Sequence, residues 1–146
     1  MKRRAPFLRR HSLVLVLSSI LAVLLVVYSR ADHRTHVGTL LGNAIADWLG
    51  ALVLVVSTKY FYEAGSAESR RPHPHLHVRI GRFAVRHSLT LMLLATGAGW
   101  AFAYVAHDAG SKWGAVLGNI VSQWTQIIGL VLITKYAWEV RSKEGA

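Results

Sequence analysis

The fold is decided by a stretch that occurs twice, GTLLGNAIADWLGALVLVVST at residues 38–58 and GAVLGNIVSQWTQIIGLVLIT at residues 114–134. Each copy is mostly apolar and about 20 residues long, and a helix of that length spans the roughly 30 Å hydrocarbon core of a bilayer. The copies share glycines, an asparagine and a tryptophan at matching positions. The stretch therefore predicts two equivalent helices that cross a membrane.

Two further apolar stretches give four predicted spans in all, at residues 12–29, 39–58, 88–106 and 115–134. The first span follows five basic residues, an arrangement that signal peptides also have. Its apolar run is long for a signal peptide, and no small-x-small cleavage site follows it. We therefore expect it to be a retained span.

The composition also indicates a membrane protein. Hydrophobic residues make up 53% of the chain and charged residues only 16%, whereas a soluble domain carries about 25% charged residues. The net charge is nevertheless +10. The absence of cysteine excludes a disulfide scaffold, a cysteine-ligated metal and a thiol nucleophile.

The distribution of basic residues predicts the orientation. Of the 17 lysines and arginines, 14 lie before the first span, between the second and third, or after the fourth. Because short cytoplasmic loops accumulate positive charge, both termini and the 59–87 loop are predicted to be cytoplasmic. Such charge also attracts anionic lipid. Since no DNA-reading motif accompanies it, we do not expect nucleic acid as a partner.

An offset of 76 residues aligns the two halves of the chain without a gap, with 19 identities in the 53 positions from His11 to Glu63. The chain is thus predicted to consist of a two-helix repeat at 1–63, a basic linker at 64–86 and a second two-helix repeat at 87–146. Each repeat has an even number of spans, so both should enter the membrane in the same direction. The predicted fold is all-α, with four transmembrane helices. They form two parallel-oriented repeats of an α-hairpin, which a pseudo-twofold axis along the membrane normal relates.

Small and polar residues share one face of the second helix in each repeat. A G-x-x-x-G motif occurs in both, at Gly38 and Gly42 and at Gly114 and Gly118, where it favours close helix packing. At about 100° per residue, Asn43 and Asp47 lie on this face in the first copy. The corresponding polar residues of the second copy are Asn119, Gln123 and Gln126.

Two hypotheses account for this polar face. The amides and the carboxylate of Asp47 either hydrogen-bond across the helix bundle or line an ion or proton pathway. Asp47 is the acidic residue well inside a predicted span, and the repeat replaces it with Gln123. Both hypotheses predict that these side chains face the interior of the bundle.

The central loop contains alternating histidines, His73, His75 and His77, among prolines. Imidazoles in this spacing are a weak candidate for a divalent-metal site. The neighbouring arginines repel cations, which favours a simple basic linker. The sequence contains no hydrolase, zinc-protease, phosphate-loop or dinucleotide motif, so we expect neither catalysis nor a cofactor.

The chain resembles an uncharacterised bacterial family of duplicated two-helix membrane proteins. The resemblance lies in the two Ser-Leu-x-Leu openings, Ser12-Leu13-Val14-Leu15 and Ser88-Leu89-Thr90-Leu91, and in the Gly-Ser-x-Glu-Ser-basic run at residues 65–70. It implies a four-span architecture in a bacterial inner membrane and no particular activity. In that family an asparagine directly precedes the tryptophan, whereas here Asn43 lies five residues before Trp48.

These observations favour a non-enzymatic membrane protein that acts through helix packing. We expect an accessory or scaffold subunit, either a homo-oligomer or part of a larger membrane complex. The alternative is an ion or proton channel, or a small transporter, that uses the polar face around Asp47.

Overall fold

A computed structural model describes residues 7–64, 81–134 and 136, with side chains for 11–64, 83–134 and 136. Its regular structure is helical, apart from one antiparallel bridge between Glu63 and His87. The helices are α1 (Phe7–Arg30), α2 (His36–Tyr60), α3 (Gly81–Arg86), α4 (Ser88–Ala106) and α5 (Lys112–Ile133). The short helix α3 lies within the segment that the sequence predicts to be a linker.

Four helices are long and apolar enough to cross a membrane, which confirms the predicted spans. Their candidate spans are His11–Arg30, His36–Tyr60, Ser88–Ala106 and Lys112–Ile133. Many of their apolar side chains face outward: Val23, Phe102 and Val105 are 62%, 77% and 82% exposed. Such a surface suits hydrocarbon, because lipid tails are as apolar as the side chains themselves.

The second and fourth spans begin three residues before the sequence predicts, because a hydroxyl side chain caps each helix. Thr35 Oγ1 accepts a hydrogen bond from the Gly38 amide at 3.1 Å, and Ser111 Oγ accepts one from the Gly114 amide at 3.0 Å. These caps satisfy backbone donors that a helix start otherwise leaves unpaired. Hydropathy does not predict these helix starts, because the first residue of each helix is polar or charged, His36 in α2 and Lys112 in α5.

Each helical hairpin closes with the same turn. The carbonyl oxygen of Asp32 accepts from the Thr35 hydroxyl at 2.7 Å, and that of Asp108 accepts from the Ser111 hydroxyl at 2.6 Å. A Cβ atom at Gly38 or Gly114 would overlap these same carbonyl oxygens. Glycine is therefore required at both positions for the chain to reverse so tightly.

The spans pack in the order α1, α2, α5, α4, so that the second helices of the two hairpins form the centre. One core cluster of buried residues joins α1, α2 and α5 and contains Tyr28, Ile45, Ala46, Val116, Ile120 and Trp124. A second cluster joins α4 to α5 and contains Leu89, Leu93, Ile127 and Val131. The close packing of these apolar and aromatic side chains holds the helices together.

Both hairpin turns lie at the same end of the bundle. The Tyr28 hydroxyl, at the end of α1, donates to the Lys112 carbonyl oxygen at 2.8 Å, and Lys112 Nζ donates to the Ala31 carbonyl oxygen at 2.6 Å. The ammonium group also lies 4.9 Å from the centre of the Tyr28 ring. We call this the turn end, and the opposite end, where α4 begins and α2 ends, the basic end.

Candidate functional site

A direct hydrogen bond joins the two central helices. Asn119 Nδ2 donates to Asn43 Oδ1 at 2.6 Å. The bond uses one donor and one acceptor, and each amide retains its other group for a further partner. Hydrogen bonds between membrane helices contribute about 0.6 to 2 kcal/mol each. The structure thus brings together the two asparagines that the sequence identifies.

Gln123 packs into the space that a glycine leaves one helix away. A Cβ atom at Gly50 would lie 2.6 Å from Gln123 Cγ and 2.9 Å from its Nε2. The half-buried glutamine side chain therefore lies directly against the α2 backbone. Like the Asn119 bond, this contact joins α5 to α2, and it lies one helical turn closer to the basic end.

The remaining candidates lie on the outside of the chain. Asp47, Ser122 and Gln126 are exposed. The expectation that all these side chains face the interior of the four-helix unit is therefore wrong for Asp47 and Gln126, and Asn43 is exposed as well, beside its bond to Asn119. The reason is geometric: a polar face some 100° wide extends beyond the part of the helix that its neighbour covers.

Together these residues form a continuous polar surface along the contact between α2 and α5. Asp47 lies one helical turn beyond Asn43, and Ser122 and Gln123 lie about one turn beyond Asn119. We call this surface the polar strip, and its members are Asn43, Asp47, Asn119, Ser122, Gln123 and Gln126. It can offer amide donors and acceptors, one hydroxyl and one carboxylate at the depth of the bilayer core.

The glycine motifs pack within each hairpin. A Cβ atom at Gly42 would lie 3.5 Å from the Tyr28 ring, and one at Gly118 would lie 3.1 Å from the Tyr104 ring. Each glycine thus admits the tyrosine of its own hairpin's first helix. Gly42 and Gly118 thus allow close packing within each hairpin, whereas the contact between the two second helices uses Asn43, Asn119, Gly50 and Gln123.

A buried carboxylate lies at the basic end, and the sequence patterns do not predict it. Glu63 is 0% exposed. Its Oε1 lies 2.6 Å from His87 Nδ1, and its Oε2 accepts from the Thr90 amide at 3.2 Å. His87 precedes α4 but makes no side-chain cap, so Glu63 supplies the anionic group that favours a helix N-terminus.

Backbone bonds reinforce this junction. The Ala64 amide donates to the Arg86 carbonyl oxygen at 2.7 Å, and the Leu89 amide donates to the Tyr62 carbonyl oxygen at 3.0 Å. The repeat offered one signal, because Glu63 and His87 both recur at its offset, as Glu139 and His11. What the sequence does not reveal is that the two residues meet.

The candidate metal ligands His73, His75 and His77 lie outside the described residues. No family model, curated protein or solved structure matches this chain.

Proposed function

We propose that this protein is a non-enzymatic, self-associating subunit of a bacterial inner membrane, which acts as a scaffold or accessory component through helix packing. The observation that carries the proposal is the exposed polar strip. A carboxylate at the centre of a membrane helix costs about 2.5 to 3.5 kcal/mol even in favourable insertion experiments. Residues of this kind normally face other helices or water rather than lipid.

A second copy of the chain is the occupant that fits the strip best. The two central helices start at the same end of the bundle, and the Asn43–Asn119 bond sets their relative depth. A dimer with its axis along the membrane normal would therefore place Asp47 of one copy near the depth of the partner's amides. Amides are self-complementary, and twofold assemblies with identical surfaces are the commonest oligomers.

The duplicated hairpin supports the same arrangement within one chain. Asn43 and Asn119 are repeat equivalents, and residues that meet their own equivalents lie at a twofold axis. The capping hydroxyls, the turn carbonyls and the tyrosine–glycine contacts also occur in equivalent pairs. We propose a pseudo-twofold axis along the membrane normal, passing near the two asparagines.

Charge supports the proposed orientation. With the turn end outside, the basic termini and the 59–87 loop contact the cytoplasmic leaflet, where each lysine or arginine gains about 1 kcal/mol from anionic lipid. The proposed partners are therefore the lipid bilayer and further copies of the chain or subunits of a larger complex.

Disulfide crosslinking tests the assembly directly, because the native chain contains no cysteine. Ser122→Cys places a thiol on the strip, and Leu94→Cys places one on the outer face of α4, where the side chain is 50% exposed. Oxidation in native membranes should give a covalent dimer with Ser122→Cys and far less with Leu94→Cys. A monomer for Ser122→Cys, together with a monomeric mass in lipid nanodiscs, would refute self-association.

The second candidate function is an ion or proton pathway. The observation that favours it is the position of Asp47, exposed on the strip within two helical turns of several amides. In an oligomer these groups would surround a polar passage. Proteoliposomes should then conduct, and Asp47→Asn should abolish the flux, whereas Asp108→Asn, at an exposed turn position, should not. No flux under any gradient would exclude this function.

A further inference from the structure

An apolar groove lies on the other side of the bundle, between the two hairpins. It consists of two cavities of about 400 Å³ and 360 Å³. Trp100 lines both cavities. The larger cavity extends towards the basic end between α2, α4 and α5, and the smaller extends towards the turn end and also includes residues of α1.

The groove and the polar strip face different directions. Two residues along a helix correspond to a rotation of about 200°. On α2, Leu49 lines the groove and Asp47 belongs to the strip; on α5, Ile120 lines the groove and Ser122 belongs to the strip. A second copy that covers the strip therefore leaves the groove open to the bilayer.

The chemistry of the larger cavity selects an apolar occupant. Its walls are mainly aliphatic and aromatic, including Val56, Met92 and Trp124. The Ser57 hydroxyl donates to the Val53 carbonyl oxygen of its own helix. The hydroxyl of Thr96 donates to a carbonyl of its own helix at 2.8 Å and accepts from the Trp124 indole at 2.9 Å. The wall thus has its polar groups already engaged.

Two exposed basic side chains lie at the basic end, towards which this cavity extends. Phe61 lines the cavity, and the exposed Lys59 lies two residues before it, with Nζ 3.1 Å from His11 Nδ1. Arg86 is exposed just ahead of α4. The acidic group nearest in sequence, Glu63, is buried and paired with His87. Two cationic side chains, Lys59 and Arg86, are therefore exposed at the same end of the bundle as this part of the groove.

We propose that the groove binds an anionic phospholipid, with one acyl chain in the larger cavity and the phosphate at Lys59 and Arg86. An acyl chain suits the apolar walls of the larger cavity, and basic pockets between helices on the cytoplasmic side bind anionic headgroups. The site uses none of the polar strip, so it goes beyond the proposed assembly. It depends only on the four spans lying in a bilayer.

Tryptophan quenching by brominated lipid tests the site, since Trp100 and Trp124 line the larger cavity. A reporter variant with phenylalanine at the other three tryptophans, Trp48, Trp113 and Trp138, is reconstituted in phosphatidylcholine bilayers. Brominated phosphatidylglycerol should reach half-maximal quenching at about a 25-fold lower mole fraction than brominated phosphatidylcholine, since each of the two basic side chains contributes roughly fivefold.

Charge variants locate the headgroup. Lys59→Gln combined with Arg86→Gln should reduce the preference for phosphatidylglycerol below about twofold. Arg30→Gln combined with Arg34→Gln, at exposed positions near the turn end, should leave it unchanged. Equal quenching by the two lipids in the reporter, or a preference that survives loss of Lys59 and Arg86, overturns the proposal.

A matched pair of substitutions locates the acyl chain. Val56→Phe places a ring in the cavity, whereas Val55→Phe makes the same change one residue away, outside the lining. We expect Val56→Phe to weaken quenching by brominated phosphatidylglycerol at least threefold more than Val55→Phe does. Equal quenching in these two variants would show that the lipid does not enter the groove.

Discussion

Removal of the Glu63 carboxylate should destabilise the protein more than any exposed charge change. Glu63 is 0% exposed, and it engages His87 at 2.6 Å and the Thr90 amide at 3.2 Å. A hydrogen bond to a charged group contributes about 1.5 to 3 kcal/mol, and a lost helix cap costs about 0.5 to 2 kcal/mol. Since these terms overlap, we expect Glu63→Ala to lower the free energy of unfolding by about 3 kcal/mol.

A double-mutant cycle separates the pair from its surroundings. Glu63→Ala, His87→Ala and the double variant are unfolded reversibly with SDS in mixed micelles, and tryptophan fluorescence reports the transition. The cycle cancels other losses at His87, such as its ring contact with Phe83 at 4.7 Å. We expect a coupling free energy of about 1 to 2 kcal/mol.

The chain provides a matched exposed control. Asp32 and His33 have the same chemistry, but their charged atoms are 3.8 Å apart and the aspartate side chain is 64% exposed. Because exposed ion pairs contribute little, the same cycle there should give a coupling below about 0.5 kcal/mol. A coupling at Glu63 and His87 as small as this control would show that the buried pair does not join the two hairpins.

Three further predictions use the same unfolding measurement. Gly38→Ala should cost about 1 to 3 kcal/mol because its Cβ atom overlaps the turn backbone, whereas Gly99→Ala, which meets open space within a helix, should be neutral or stabilising by up to about 1 kcal/mol. Trp124→Phe should cost about 1 kcal/mol through loss of its indole hydrogen bond to α4, and more than Trp48→Phe at the half-buried equivalent position. Tyr28→Phe should cost about 0.5 to 1.5 kcal/mol, because it removes the hydroxyl bond between the hairpins.

The sequence predicts the four spans well, because span length and apolar content are properties of a single segment. It also identifies Asn43 and Asn119, since an amide on an apolar helix needs a partner and the repeat aligns the two. The sequence does not predict that the Asp47 side chain is exposed. A helical projection defines which residues share a face, but the position of the neighbouring helix decides which part of that face is covered.

The buried carboxylate illustrates a different limit. Glu63 follows α2 in a short non-helical segment, so neither helical periodicity nor span length bears on it. Its partners His87 and Thr90 lie 24 and 27 residues away. A contact of this kind depends on how the chain returns to the bundle after the central loop, and a helix pattern carries no information on that path.

The two hairpins differ at aligned positions in a way that explains the different environments of Trp48 and Trp124. The Trp124 ring is 2% exposed; its indole donates to Thr96, and it contacts the Trp100 ring at 5.8 Å between centroids. At the offset of 76 residues, Thr96 corresponds to Ile20 and Trp100 corresponds to Leu24. An isoleucine accepts no hydrogen bond, so nothing equivalent fixes Trp48, which is only half-buried.

These sequence differences give the groove and the polar strip residues that only one of the two hairpins contains. Trp100 and Trp124, unique to the second hairpin as a pair, build the wall of the groove, while Asp47, unique to the first hairpin, adds the charge to the polar strip. One central helix therefore presents a carboxylate, while the other contributes a ring to an apolar cavity. Both hairpins contribute residues to each surface, and an assembly through the strip is compatible with a lipid in the groove because the two surfaces face different directions on α2 and α5.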